Sequence, residues 1–280
     1  MNKNKTLKSI LFIEGAGLHS GNMCQLTIEP MHIQGIFFKN ELGVEKVANE
    51  TLDGSVLGTN FIFKNNGERV LTVEHLLSTL YLKGITSAVI SVYGGEVPIL
   101  DGSGQCFSSE IDKVGITELH GFCDKKLVRC GLDLEVDDKF IKMQPRNDGL
   151  VKISLSIDFD NACVSGMPQS INFEFKKDEV KQLITARTFG FKSDIDALLS
   201  KGLCLGGSMS NAILFDENRI LNPSGLRFEN EIVSHKLLDL IGDLSPMFYE
   251  YTGFNISCFK PGHKLNNAFL RSFSKTQEAV

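Results

Sequence analysis

Val233-Ser234-His235-Lys236-Leu237-Leu238-Asp239-Leu240 has an echo far upstream, Val73-Glu74-His75-Leu76-Leu77-Ser78-Thr79-Leu80. Val, His and two Leu coincide in register. Each stretch has the 3.6-residue apolar period of a helix, follows several strand-like runs and precedes another strand. The echo points to two halves of similar build, each offering one His from the same helix position. The join reads at Cys123-Asp124-Lys125-Lys126, giving domains 1–123 and 124–280.

Working outward, residues 7–14, 24–30, 34–39 and 60–64 read as strands, with the Gly-rich turn 15–21 after the first. Thr72 reads as the N-cap of a helix that Gly84 stops. A strand at 88–92 and a helix at 105–114 complete the first half. The second half reads as strands at 127–136, 139–144, 150–159 and 170–175, then helices at 177–187 and 193–201. A second Gly run, Gly206-Gly207-Ser208, precedes the key helix at 229–243. A strand at 254–259 and a helix from Asn266 close the chain.

As a helix, 229–243 puts His235 and Asp239 one turn apart on one face, with Asp243 one turn further and Lys236 beside them. An imidazole and a carboxylate so placed can share one metal ion. His75 would supply a third ligand, which a catalytic zinc site with an open position needs. Glu74, next to it, could take a proton from a bound water. Each residue also has a plainer reading. The His235/Asp239 pair could cap a packed face, Glu74 could simply favour the helix N-terminus, Lys236 could be a surface charge, and His263 a loop histidine. Spacing alone leaves both readings open.

Composition narrows the class. The 280 residues carry a net charge of -5, which gives no bulk attraction to nucleic acid or anionic lipid. An anionic substrate would need local Lys or Arg. Seven Cys stand singly at 24, 106, 123, 130, 163, 204 and 258, without a C-x-x-C pair. That argues for a reducing compartment and against a disulfide framework or a Cys-rich zinc site. The apolar run Ile10–Ile13 is too short for a signal peptide, and no run is long enough to cross a bilayer. A cytoplasmic protein without an integral membrane segment is expected.

Seven motifs in order carry a resemblance. They are Gly17-Leu18-His19-Ser20-Gly21, Thr72-Val73-Glu74-His75-Leu76-Leu77, Pro98-Ile99-Leu100-Asp101-Gly102-Ser103, Ala186-Arg187-Thr188-Phe189-Gly190-Phe191, Gly206-Gly207-Ser208 with Asn211-Ala212-Ile213, His235 to Asp243, and Gly262-His263 with Asn266-Asn267-Ala268. Together they span nearly the whole chain, which resembles the UDP-3-O-acyl-N-acetylglucosamine deacetylases, zinc enzymes of lipid A biosynthesis.

The resemblance implies an α+β fold of two domains of similar topology, each a β-sheet packed with α-helices, with the active site at their interface and a Zn2+ cofactor held by His75, His235 and Asp239. It implies Glu74 as general base and His263 as general acid, oriented and charged by Asp243. Thr188 and Lys236 correspond to groups that steady the oxyanion. Asp158 and Phe159 correspond to contacts near the uracil, and Lys260 and, more loosely, Lys139 to phosphate contacts. Phe189 and His19 correspond to further substrate contacts. The implied partner is a UDP-sugar with one acyl chain, bound by a monomer; a non-catalytic nucleotide-sugar or acyl-lipid binding protein on the same fold is the alternative.

Three departures stand out. Ser234 stands where the family often has Arg, Ser245–Gly253 is unusually aromatic, and 192–205 is variable. They bear on acyl preference rather than on the chemistry.

Overall fold

The computed structural model describes residues 2–55 and 57–278. The first half runs β1 (Asn2–Leu7), β2 (Leu11–Ala16), β3 (Met23–Pro30), β4 (Gly35–Asn40), β5 (Gly43–Lys46), β6 (Leu52–Gly54), β7 (Thr59–Ile62), β8 (Arg69–Val70), α1 (Glu74–Leu82), β9 (Ser87–Tyr93), α2 (Gln105–Val114) and β10 (Ile116–Cys123). Then follow β11 (Lys126–Leu127), β12 (Leu132–Val136), β13 (Lys139–Pro145), β14 (Val151–Ser156), α3 (Ala162–Ser165), β15 (Ser170–Phe173), α4 (Lys177–Ile184), β16 (Phe189–Phe191) and α5 (Lys192–Ser200). The chain ends with β17 (Ile213–Phe215), α6 (Glu231–Asp243), α7 (Ser245–Glu250), β18 (Tyr251–Thr252), β19 (Phe254–Phe259) and α8 (His263–Glu278).

Two five-stranded sheets dominate, ordered β2-β3-β9-β4-β5 and β12-β13-β19-β14-β15. Their directions agree strand for strand: only β4 with β9, and β14 with β19, run parallel. The fold is thus α+β, with one topology used twice. The small sheet β6-β7-β8 sits between β5 and α1 in sequence, and β16-β17 sits between β15 and α6, so both additions enter at the same point of the repeat.

Alternation fixes the register. In β3, Cys24, Leu26 and Ile28 are buried while Met23 and Gln25 are exposed; in β19, Phe254, Ile256 and Cys258 are buried. One face of each sheet therefore meets helices and a slip by one residue would expose the apolar set. α1 and α6 are different. α1 is buried from Glu74 through Leu80, and α6 is buried at every position but Lys236. Helices buried all round lie inside the molecule, and these two pack on each other. Gly242 permits the approach, because a Cβ there would collide with the backbone of Glu74.

Several boundaries differ from the sequence reading. The run 7–14 is two strands, because Leu7 ends the pairing of β1 with β10 and Leu11 begins that of β2 with β3. Likewise 127–136 splits into β11 and β12. Thr72 is not the N-cap; that position is Val73, without a side-chain cap. Thr72 instead has a left-handed backbone (φ 58°), and its hydroxyl donates to Glu96 Oε1 at 3.0 Å. The last helix starts at His263, three residues before Asn266. All seven cysteines are free thiols. Among the described residues no helix is long and apolar enough to cross a membrane.

Candidate active site

α1 and α6 bring the two echoed histidines together. The rings of His75 and His235 lie 4.9 Å apart, edge to face. Their Nε2 atoms stand 3.4 Å and 3.3 Å from the same oxygen, Oδ1 of Asp239. All three side chains are buried, and their ligand atoms fall within 4.8 Å of one another. The helical spacing of His235 and Asp239 thus does place both on one face, as the sequence predicts.

The atoms that face this point are prepared for a cation. His235 Nδ1 lies 3.1 Å from the carbonyl oxygen of Ala186, which accepts its proton and leaves the Nε2 lone pair directed at the cluster. Burial pushes the His235 pKa down to about 3, so the ring is neutral. Asp239 Oδ2 accepts from Lys236 Nζ at 2.6 Å, whereas Oδ1 is buried and accepts no hydrogen bond. Burial opposes ionisation of Asp239, but His235, Lys236 and His75 outweigh it and hold its carboxyl well below the usual range. Burial also opposes the charge on His75, yet Asp239 and Glu74 raise its pKa. A fixed carboxylate oxygen without a donor, between two imidazole nitrogens, suits a divalent metal with N/O preference such as zinc.

Around this point stand Glu74 and His263. His263 Nε2 is 4.0 Å from Glu74 Oε1 and 4.0 Å from Asp239 Oδ2. His263 Nδ1 faces Asp243, 2.9 Å from Oδ2 and 3.2 Å from Oδ1. Burial works against the charge on His263, but the Asp243 carboxylate, with Glu74 and Asp239, pushes its pKa up to about 9. Glu74 moves in the same sense for a different reason: burial raises its pKa, and the nearby His263 and His75 only partly offset this.

Two residues that sequence reasoning passed over hold this arrangement. Thr59 donates its backbone N–H to Glu74 Oε2 at 2.9 Å and its hydroxyl to Asp243 Oδ1 at 2.6 Å. Asn266 Nδ2 donates to Asp243 Oδ2 at 2.7 Å. One threonine therefore fixes two carboxylates at once. A threonine at the start of a short strand carries no local signal of such a role. Asn266 lies in a quoted motif and one helical turn after His263, which is the signal that could have found it.

The remaining expected residues fall into three places. Lys236, expected near substrate, has its ammonium on Asp239. Thr188 is half-buried two residues past Ala186, and its backbone N–H donates to Gly102 O at 2.7 Å. The Phe189 ring lies 6.1 Å from His235 and 5.3 Å from Phe159, so an aromatic path leads from the cluster to Phe159. Asp158 and Lys260 follow the ends of the parallel strands β14 and β19, and Lys260 Nζ pairs with Asp158 at 2.9 Å and with Asp138 at 2.6 Å. Lys139 starts β13 at the same end of the sheet and is exposed.

His19 is not one of the three candidate ligands; burial lowers its pKa, and the nearby His263 acts in the same sense. His19 is buried, its Nδ1 is 3.7 Å from Cys204 Sγ, and its Nε2 has no partner. Its backbone N–H donates to Glu96 at 2.8 Å. Glu96, a fully buried carboxylate the sequence reading did not single out, also takes Ser20 N–H, Ser20 Oγ and the Thr72 hydroxyl. The first Gly run is more than a turn between strands. Gly206 N–H donates to Leu18 O at 3.0 Å, and a Cβ on Gly206 would strike the backbone of Gly17. The two Gly runs dock on each other.

With this geometry in place, comparison with known proteins is informative. Residues 4–275 match the family model described as UDP-3-O-acyl N-acetylglycosamine deacetylase (LpxC). The UDP-3-O-acyl-N-acetylglucosamine deacetylase of Hamiltonella defensa is 41% identical, covering 100% of this chain and 92% of the relative. That of Aliivibrio fischeri is 38% identical over 100% and 92%. That of Campylobacter jejuni (strain RM1221) is 37% identical over 98% and 91%.

Proposed function

From the premise that the chain belongs to the UDP-3-O-acyl-N-acetylglucosamine deacetylase family, we propose that it removes the N-acetyl group of UDP-3-O-(3-hydroxyacyl)-N-acetylglucosamine in the cytoplasm, as the committed step of lipid A biosynthesis. The products are acetate and the free 2-amino sugar. His75, His235 and Asp239 would hold one zinc ion, and the observation that carries this is the buried, unpartnered Oδ1 of Asp239 between two Nε2 atoms. Zinc bound there supplies Lewis acidity and lowers the pKa of a water toward about 7.

The chain's own groups do the proton work. Glu74 accepts a proton as the water oxygen attacks the acetamide carbonyl carbon. Burial, which raises its pKa, makes the carboxylate a better base than an exposed one. His263 then gives its proton to the leaving nitrogen as the C–N bond breaks. Asp243 keeps that proton on His263 until it is needed. Lys236 holds Asp239 from behind, and Thr188, close in sequence to the Ala186 carbonyl that orients His235, steadies the developing oxyanion.

The sugar-nucleotide end would lie toward Phe159, with the uracil against its ring and Asp158. Lys260 and Lys139 would meet the diphosphate, and Phe189 and His19 would border the sugar and acyl chain. Lys260 is already paired with two carboxylates, so the diphosphate would have to displace one of them. Residues 1–123 and 124–280 are taken as the two domains, with α1 and α6 supplying the candidate ligands from either side. Since every named group comes from one chain, a monomer suffices.

Acetate release from the proposed substrate, measured with about one zinc bound per chain, tests the reading. Glu74→Ala should lower kcat by about 10²–10⁴, and His235→Ala should lose zinc. Retention of near-normal turnover by Glu74→Ala, or unchanged zinc affinity in His235→Ala, would remove the proposed base or the proposed ligand set.

A further inference from the structure

A cavity of about 890 Å³ lies away from the catalytic cluster and is lined from both sides of the Cys123–Lys126 join. It shares no residue with Glu74, His75, His235, Asp239 or His263. Tyr81, on its wall, stands seven residues beyond Glu74 along α1, which is about 10 Å at 1.5 Å per residue. The volume is in the range of small-molecule sites.

Its walls divide by chemistry. The cations come from β1 and the join, Lys3, Lys5 and Lys125, and two carboxylates, Glu118 and Asp124, line the same cavity. Lys3 is paired with Glu118 at 2.7 Å. Lys125 is different. It is half-buried, its Nζ donates to Tyr81 Oη at 3.2 Å and lies 4.9 Å from the Tyr81 ring centre. Among the described residues no carboxylate pairs with it, and burial holds its pKa below the usual value. The apolar wall comes from α1, the turn before α4, and α7. Tyr81 lies 5.3 Å from Tyr249 and 5.8 Å from Phe175, ring to ring. Tyr249 belongs to the aromatic stretch 245–253. Its hydroxyl is buried and has no hydrogen-bond partner.

A half-buried ammonium with no paired carboxylate asks for an anion with acceptor oxygens. The rings beside it ask for a flat apolar body. We propose that this cavity is a second ligand site, taking a small aromatic phosphate whose phosphate meets Lys125 and Lys5 and whose ring lies among Tyr81, Phe175 and Tyr249. The site stands independently of the deacetylation reading, since neither uses the other's residues.

Pyridoxal 5′-phosphate is a suitable probe on the full chain. Its aldehyde condenses with a lysine amine, releasing water, and borohydride reduces the imine to a stable amine that peptide mass mapping locates. Lys125 should be modified saturably, and at least tenfold faster than the exposed Lys176 and Lys201. Pyridoxine 5′-phosphate, without the aldehyde, should protect it, and pyridoxine, without the phosphate, should not. Lys5→Gln should weaken the saturable step several-fold while acetate release is unchanged. Modification of Lys125 that rises linearly with reagent, that pyridoxine 5′-phosphate does not slow, or that matches Lys176 would overturn the proposal and leave a solvent-filled cleft.

Discussion

Asp239 has one carboxylate oxygen committed to Lys236 and the other to nothing in the protein. In a buried position that asymmetry is costly unless a cation completes it. The proton inventory around it is equally uneven. His235 is neutral, and His263 carries its proton up to a pKa of about 9. In the proposed reaction Glu74 must be ionised, so activity rises with pH through its raised pKa. His263 must be protonated, so activity falls as pH passes about 9. General acid–base behaviour by itself suggests limbs near about 6 and about 8; Asp243 is the reason the upper one lies higher. Asp243→Asn removes the carboxylate that raises the His263 pKa, so the alkaline limb of the kcat profile should move to lower pH. An unmoved limb would mean that another group sets it. Thr59→Val deletes the hydroxyl donated to Asp243 and keeps the backbone N–H donated to Glu74. It should lower kcat about tenfold with KM little changed, the usual scale for a group that positions a reacting one. Steady-state kinetics would show it, and a loss confined to KM would place Thr59 in substrate binding instead.

The elements α1 and α6 hold these residues in register because both are buried and because Gly242 lets their backbones touch. Gly242→Ala should destabilise the fold by about 1–3 kcal/mol through overpacking, and should lower kcat as well, because the strain falls on Glu74. A denaturant midpoint equal to wild type would show that the helices can separate freely. Much of this level was legible in the sequence. The echo of Val73–Leu80 in Val233–Leu240 marks both helices, since apolar spacing and polar interruptions are local properties of the chain. The i,i+4 relation of His235 and Asp239 follows from helix geometry alone. Thr72 was misread because its hydroxyl looked like a cap, whereas a distant carboxylate, Glu96, claims it and the backbone turns left-handed. Thr59, Glu96 and the path from Phe159 to Phe189 were invisible for the same reason. Their partners are set by tertiary contact, and no spacing rule points to them.

At the scale of the whole molecule, one sheet topology is used twice, and a buried helix upstream of the central strand of each copy, α1 before β9 and α6 before β19, delivers one histidine. On this account the metal ties the two copies together, so loading should raise thermal stability by RT ln(1 + [L]/Kd), about 2.7 kcal/mol at a hundredfold excess over Kd. Calorimetry with and without chelator would read this as a higher midpoint for the loaded protein, an increase that His75→Ala should abolish. Equal midpoints would separate the metal from the join between the copies. The most direct test of the central claim is acetate release from UDP-3-O-(3-hydroxyacyl)-N-acetylglucosamine, with wild type and Glu74→Ala compared at equal zinc content. The account predicts turnover by the wild type and a loss of at least about a hundredfold in the variant. Equal rates in the two proteins, or no acetate from either, would contradict it.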